Sequence, residues 1–242
     1  MEAMILAAGL GTRLRPLTEQ TPKALIEVAG TPMLERVARR LVEAGAERLI
    51  VNVHHHADQV ERFLEEKLNF GVEVLISREV TEPLETGGGL AAAADLFAKT
   101  APFFLHNVDV ISDLDLRAMY AAHLDDPQPR LATLAVSQRD TRRPLLVDER
   151  GVYGVANKSR GWQREARPPR GAVTELGFAG VHVISPEIFR LMHERHAFSI
   201  IDVYMRLLED GQHVAAFDIS DVSWYEVGNL ERLERARSLI GD

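Results

Sequence analysis

Short apolar runs alternate with amphipathic stretches along this chain, and the alternation predicts strands and helices in turn. Ala3-Met4-Ile5-Leu6-Ala7-Ala8 ends at Gly9, the pattern of a buried strand entering a tight loop. Pro32-Met33-Leu34 opens a helix to about Ala44, with Leu34, Val37, Leu41 and Val42 on its apolar side. Thr31 is placed to cap it, Pro32 suits its first position and Gly45 its end. Arg48 to Val53 predicts a second strand, Ala57 to about Leu68 a second helix bearing Val60, Phe63 and Leu64, and Gly71 to Ile76 a third strand. A β-α-β opening of this kind implies parallel strands joined by right-handed crossovers.

Glu82 to Gly89 breaks the pattern, and Leu90 to Phe97 predicts a helix behind three open glycines. Pro102 to Asn107 predicts a fourth strand, and Asp113 the cap of a helix starting near Leu114. A break at Pro127–Pro129 precedes a strand over Leu131–Val136, and Leu145–Val147 with Val152–Ala156 predicts a hairpin. Ser159 to Ala172, carrying Arg160, Arg164, Arg167 and Arg170, predicts a mobile loop over the active site. A strand at Val181–Ile184, helices opening at Ser185 and Phe198, a strand at Val214–Ile219 and a closing helix over Leu230–Leu239 complete the order. The expected class is α/β, a Rossmann-like, mixed but mostly parallel sheet flanked by helices, in a single domain over residues 1–242.

Composition narrows the partners. The 242 residues are 46% hydrophobic and contain no cysteine, which supports a sizeable core and removes disulfide and thiol chemistry. Net charge is −8, from 28 basic and 36 acidic residues, which argues against a general nucleic-acid binder. No run approaches the roughly 18 apolar residues of a membrane span, and no basic-plus-apolar leader precedes the first strand. The expectation is a cytoplasmic protein, a monomer or homodimer, with no membrane partner.

An acidic protein that handles polyphosphate must gather its cations locally, and the first loop does so. Gly9 and Gly11 open the backbone to a ligand, and Arg13, Arg15 and Lys23 add positive charge. The dinucleotide pattern G-x-G-x-x-G fails at Leu14, and no Walker loop occurs, so a nicotinamide oxidoreductase is disfavoured. His54-His55-His56 reads as a solvated loop, because consecutive residues at a strand end point in alternating directions. Asp109 follows the fourth strand, where open parallel sheets place ligands, and a carboxylate there suits Mg²⁺.

The string Ala3 to Thr18 with G-x-G-T-R, followed by Pro22-Lys23 through Gly30-Thr31-Pro32-Met33-Leu34, closely resembles the sugar-phosphate nucleotidyltransferase family. The resemblance implies the nucleotide-diphospho-sugar transferase fold and the joining of a nucleoside triphosphate to a sugar 1-phosphate with loss of pyrophosphate. It implies that Leu6, Ala8, Gly9, Gly11, Thr12, Arg13 and Lys23 hold the nucleotide, with Arg13 and Lys23 catalytic. The loop Glu85-Thr86-Gly87 would read the base. Its form E-T-G-G-G resembles the bacterial branch acting on N-acetylmuramate 1-phosphate with UTP, whereas guanylyltransferases for mannose 1-phosphate show L-G-T-A-G. Asp109 in Asn107-Val108-Asp109 resembles the metal-binding Asp of N-G-D. Glu226 in Trp224-Tyr225-Glu226-Val227-Gly228 resembles the second metal ligand of W-x-D-V-G, and the implied cofactor is Mg²⁺. The sugar-binding part falls within about 140–225, and Asn107, Lys158, Glu175 and Gly177 would meet the sugar phosphate. The chain ends before the C-terminal β-helix of longer members. Val108, Asn157 and Glu226 depart from the family's patterns and admit a second expectation, a regulatory paralogue that binds nucleotide sugars with weak turnover.

Overall fold

The structure, a computed structural model, describes residues 1–125 and 128–240. In chain order the strands and helices are β1 (Glu2–Leu6), β2 (Glu27–Val28), β3 (Thr31–Pro32), α1 (Met33–Glu43), β4 (Arg48–Val53), α2 (Ala57–Glu66), β5 (Glu73–Arg78) and α3 (Glu85–Ala92). Then come β6 (Phe103–Asn107), β7 (Val110–Ser112), α4 (Leu116–Leu124), β8 (Ala132–Ser137), β9 (Leu145–Asp148), β10 (Gly151–Asn157), β11 (Trp162–Glu165) and β12 (Thr174–Ile184). The chain closes with α5 (Ile188–Leu191), α6 (Ile200–Glu209), β13 (Val214–Asp218), β14 (Trp224–Glu226) and α7 (Leu230–Ile240).

Ten strands form one sheet, with β11-β10-β9-β12-β6-β1-β4-β5 along its main path and β8 and β13 branching from β12. β6, β1, β4 and β5 are mutually parallel, and β12 runs antiparallel beside β6. The apolar run of β1 is buried on both faces, as a central parallel strand must be. Its period of two sends Ala3 and Ile5 into a layer with Val37 and Leu41 of α1, Val60 and Leu64 of α2, and Met119 of α4. Met4 faces the other way, with Leu90 of α3 and Val203, Tyr204 and Leu207 of α6. The mixed, mostly parallel sheet between helices is thus the expected α/β class. A smaller cluster joins Leu14 of the first loop, Met33, Val227 and the α7 residues Leu233 and Ala236. The separate pair β7–β14 aligns Glu226 with Val110.

Several local expectations give way to packing. Gly87, Gly88 and Gly89 lie inside α3 rather than ahead of it. The Gly87 and Gly88 amides both donate to the Phe198 carbonyl, at 2.9 and 3.2 Å, so they are not open to a ligand. A β-carbon on Gly87 would stand 2.5 Å from the Phe198 ring, and one on Gly88 2.7 Å from the His196 carbonyl oxygen. These glycines admit the chain at 196–200 against the helix. α1 starts at Met33 behind Pro32, without a side-chain cap, because Thr31 and Pro32 pair with Val28 and Glu27. Asp115 rather than Asp113 caps α4, accepting from the Ala118 amide at 3.0 Å, while the Asp113 amide donates to Ser223. The arginine-rich stretch contains β11, hydrogen-bonded along β10. Arg164 pairs with Glu209 and Arg167 with Asp148. Of the expected break at Pro127–Pro129, Pro127 lies outside the described residues.

Candidate active site

Beyond the carboxyl ends of β1, β4, β5 and β6 lies a cavity of about 190 Å³. It is lined by Leu6, Ala8, Gly9, Lys23, Asn52, Glu79, Pro83, Glu85, Thr86, Asn107, Val108 and Asp109. Register explains the assembly: Leu6 stands beside both Asn52 and Asn107, so three neighbouring strands end level. Ligands of α/β proteins collect at such an edge because the loops leave backbone groups there.

The two glycines of the first loop serve different ends. Gly9 has open space where a side chain would be, and it faces the cavity. Gly11 sits at φ +64°, and a β-carbon there would meet Thr18 Cγ2 at 2.8 Å and Lys23 Cβ at 3.1 Å. Its carbonyl accepts from the Thr18 hydroxyl at 2.7 Å. Gly11 therefore admits the Lys23 side chain close against the loop, where its ammonium pairs with Asp109. Both partners are largely enclosed, with side chains 11% and 17% exposed. Thr12 and Arg13 form an exposed helical turn held from below by buried Leu14.

That same apolar cluster brings the C-terminal motif to the loop, since Leu14 and Val227 share it. The Val227 amide donates to the Asp109 carbonyl at 2.8 Å, placing Glu226 beside Asp109 along the chain pairing. The Arg13 guanidinium and a Glu226 oxygen each lie 3.5 Å from where a β-carbon on Gly228 would stand. Glu226 is ion-paired with Arg232 of α7, and Asn229 caps that helix by accepting from the Arg232 amide at 2.9 Å.

The expected sugar-side residues divide. Asn107 lines the cavity. Lys158 and Glu175 pair with each other at 2.6 Å, both about half exposed, and neither lines the cavity. Asn157 is buried, and its side chain accepts from the Arg160 amide at 3.1 Å. Gly177 is buried too, and the place of its missing side chain is taken by Arg139. Gly87 is packed against Phe198 and away from the cavity that Glu85 and Thr86 line.

Two residues of the cavity, Asn52 and Glu79, went unmarked in the sequence. Asn52 donates to buried Glu79 at 2.8 Å, and Glu79 also accepts from the Leu84 amide at 2.8 Å, fixing the loop ahead of α3. The one available signal was an asparagine inside the apolar run Leu49–Val53. Arg139, just after β8, stacks on Trp224 with its carbon 4.3 Å from the ring centroid. Burial holds its guanidinium below the ordinary arginine range, opposed by the charge of Glu226.

Among the described residues no three His, Asp or Glu side chains gather to hold a metal. Asp109 and Glu226 are hard oxygen donors of the kind Mg²⁺ prefers, and two carboxylates leave coordination positions for phosphate oxygens. The donor chemistry fits, with each carboxylate engaged by a cation, Lys23 or Arg232.

The nucleotidyl transferase family profile matches residues 2–242. The chain is 35% identical over 212 residues to the N-acetylmuramate alpha-1-phosphate uridylyltransferase of Caulobacter vibrioides, covering 87% of this chain and 85% of that protein. It is 32% identical over 229 residues to the mannose-1-phosphate guanylyltransferase catalytic subunit beta of Drosophila melanogaster, covering 93% of this chain and 59% of that one. The fold matches UTP-bound UGPase from Acinetobacter baumannii with a TM-score of 0.77 at 21% identity, over 99% of this chain and 93% of the other. With the glycine loop, its lysine and the strand-end aspartate meeting at one cavity, the chain belongs to the nucleotidyl transferase family and is an enzyme, a nucleotidyltransferase.

Proposed function

We propose that this enzyme transfers a nucleotidyl group from a nucleoside triphosphate to a sugar 1-phosphate, releasing pyrophosphate. The observation that carries the reading is Lys23, seated by Gly11 and paired with Asp109 at the mouth of the strand-end cavity. In this reaction a phosphate oxygen of the sugar attacks the α-phosphorus, and the bond from that phosphorus to the leaving pyrophosphate breaks. Both reactants are anions, so the chain's task is neutralisation and alignment. Lys23 serves the phosphates near the reacting centre, and Arg13, exposed on the first loop, serves the leaving pyrophosphate. The cavity beside Glu85, Thr86, Asn52 and Glu79 takes the base. Asp109, with Glu226 beside it, would hold Mg²⁺, which when bound neutralises phosphate charge. Lys23 and Arg232 each engage one oxygen of those carboxylates, Asp109 Oδ2 and Glu226 Oε2, and the other oxygens would be the ones to hold the ion.

The finer reading is UTP with N-acetylmuramate 1-phosphate, supported by Glu85-Thr86-Gly87-Gly88-Gly89 and by the uridylyltransferase relative. GTP with a mannose 1-phosphate-like sugar is the competing pair. Either product serves sugar-nucleotide supply for the cell envelope, and the reading places the enzyme in the cytoplasm. The test is pyrophosphate release across four nucleoside triphosphates and several sugar 1-phosphates, with and without Mg²⁺. Release with UTP and N-acetylmuramate 1-phosphate alone supports the finer reading, and no release with any pair overturns the activity. The Glu226–Arg232 pair favours one alternative, a regulatory paralogue. Tight nucleotide-sugar binding without release identifies that case.

A further inference from the structure

β12 is irregular between Phe178 and His182, where its pairing with β8 shifts register. Two side chains serve carbonyls there. Trp224 Nε1 donates to Ala179 at 2.8 Å, and Arg139 Nη2 donates to Phe178 at 2.6 Å. The arginine lies between the Trp224 ring and Gly177, whose missing β-carbon would stand 2.6 Å from Nε. Its place is therefore set on two sides.

Its charge is not matched. Nε is buried without an acceptor, and among the described residues no carboxylate forms an ion pair with Arg139. Glu226 acts on it from longer range, but that carboxylate is taken by Arg232. Arg13 Nη2 lies, like a Glu226 oxygen, 3.5 Å from where a β-carbon on Gly228 would stand. Arg13, Arg139 and Arg232 thus all act around Glu226, an arrangement suited to a bound anion. Next in sequence, Asp140 acts on Lys158, which pairs with Glu175. Arg139 thus stands between the Glu226 end and the sugar-side pair, while Lys23 and Gly9 face the nucleotide cavity.

Resting on the activity proposed above, we infer that Arg139 binds the phosphate of the sugar 1-phosphate and holds it, stacked on Trp224, for attack. The stack removes the guanidinium's rotational freedom before the substrate arrives, and with Nε buried and Nη2 on the Phe178 carbonyl it is Nη1 that meets the phosphate.

The experiment is calorimetric titration of the wild type, Arg139→Gln and Arg139→Lys with N-acetylmuramate 1-phosphate, mannose 1-phosphate, inorganic phosphate and UTP. The same titrations followed by emission in a Trp162→Phe background report on Trp224 alone, since the chain has two tryptophans. The expected result is a loss of sugar-phosphate affinity of about 10- to 100-fold in Arg139→Gln, the range of one charge-assisted hydrogen-bond set, with less loss in Arg139→Lys. UTP affinity stays within about twofold, a split that mere disturbance of the Phe178 bend would not give. Unchanged sugar-phosphate affinity in Arg139→Gln, with the wild type binding, overturns this assignment alone. Loss confined to N-acetylmuramate 1-phosphate also overturns it, and reassigns Arg139 to that sugar's carboxylate. A wild type that binds neither sugar phosphate, alone or with UTP present, overturns this assignment, while pyrophosphate release in the panel above decides the activity reading separately.

Discussion

Lys23 and Asp109 neutralise each other at the cavity mouth, and a phosphate competes for the same ammonium. Removing that cation takes away charge stabilisation that nothing beside it replaces. Lys23→Ala is expected to lower kcat/KM by about 10²- to 10³-fold, the usual cost of one preorganised electrostatic contact, in the pyrophosphate assay. Asp109→Ala is expected to abolish any dependence of turnover on added Mg²⁺, which a metal titration checks. The packing of Gly9, Gly11 and Lys23 at one loop was legible because it is written in neighbouring positions. Asn52 and Glu79 were not, because each gains its place from a partner 27 positions away, and Arg139 likewise packs on Trp224, 85 positions on.

The α3 helix shows how a loop-like sequence can be helical. Glycine disfavours helices by about 1 kcal/mol each, so Gly87-Gly88-Gly89 reads as open chain. The packing of residues 196–200 and the bonds from Gly87, Gly88 and the Ile200 amide, which donates to the Thr86 hydroxyl at 3.0 Å, override that preference. Gly87→Ala is expected to cost about 1–3 kcal/mol through overpacking against Phe198, seen as a lowered urea midpoint. β4 and β6 are legible nearly to the residue, since mainly apolar runs of six and five residues have strand length rather than helix length. β11 was missed because all four of its residues are exposed and only its pairing with β10 defines it. Its far end is tied by Arg167 to Asp148, whose buried carboxylate is held well below the ordinary range, first by Arg167 and then by the Arg170 and Arg150 amides. Asp148→Asn leaves that arginine unpaired and is expected to destabilise the fold by about 3 kcal/mol, measured in the same way.

Two histidines are sealed within the sheet. Burial lowers His106 to about 4, against its bond to the Asn107 carbonyl. Burial also lowers His182 to about 3, with the neighbouring His106 adding to the effect. Unfolding lets both return to about 6.5, so between those values the unfolded chain binds protons that the folded one refuses. Their contribution is intact above pH 6.5 and declines as pH falls, by about 1.4 kcal/mol per unit for each histidine. Urea unfolding at pH 7, 6 and 5 is expected to show that decline, with a shallower slope in His182→Gln.

β12 belongs to both ends of the molecule. Its opening residues bond β9, and its last ones bond β6 on one side and β8 on the other. A break anywhere along those eleven residues strips an edge from each neighbour at once. The base-side and sugar-side regions should therefore melt as one unit, giving a single calorimetric peak, and fragments divided at Phe178 should fail to fold apart.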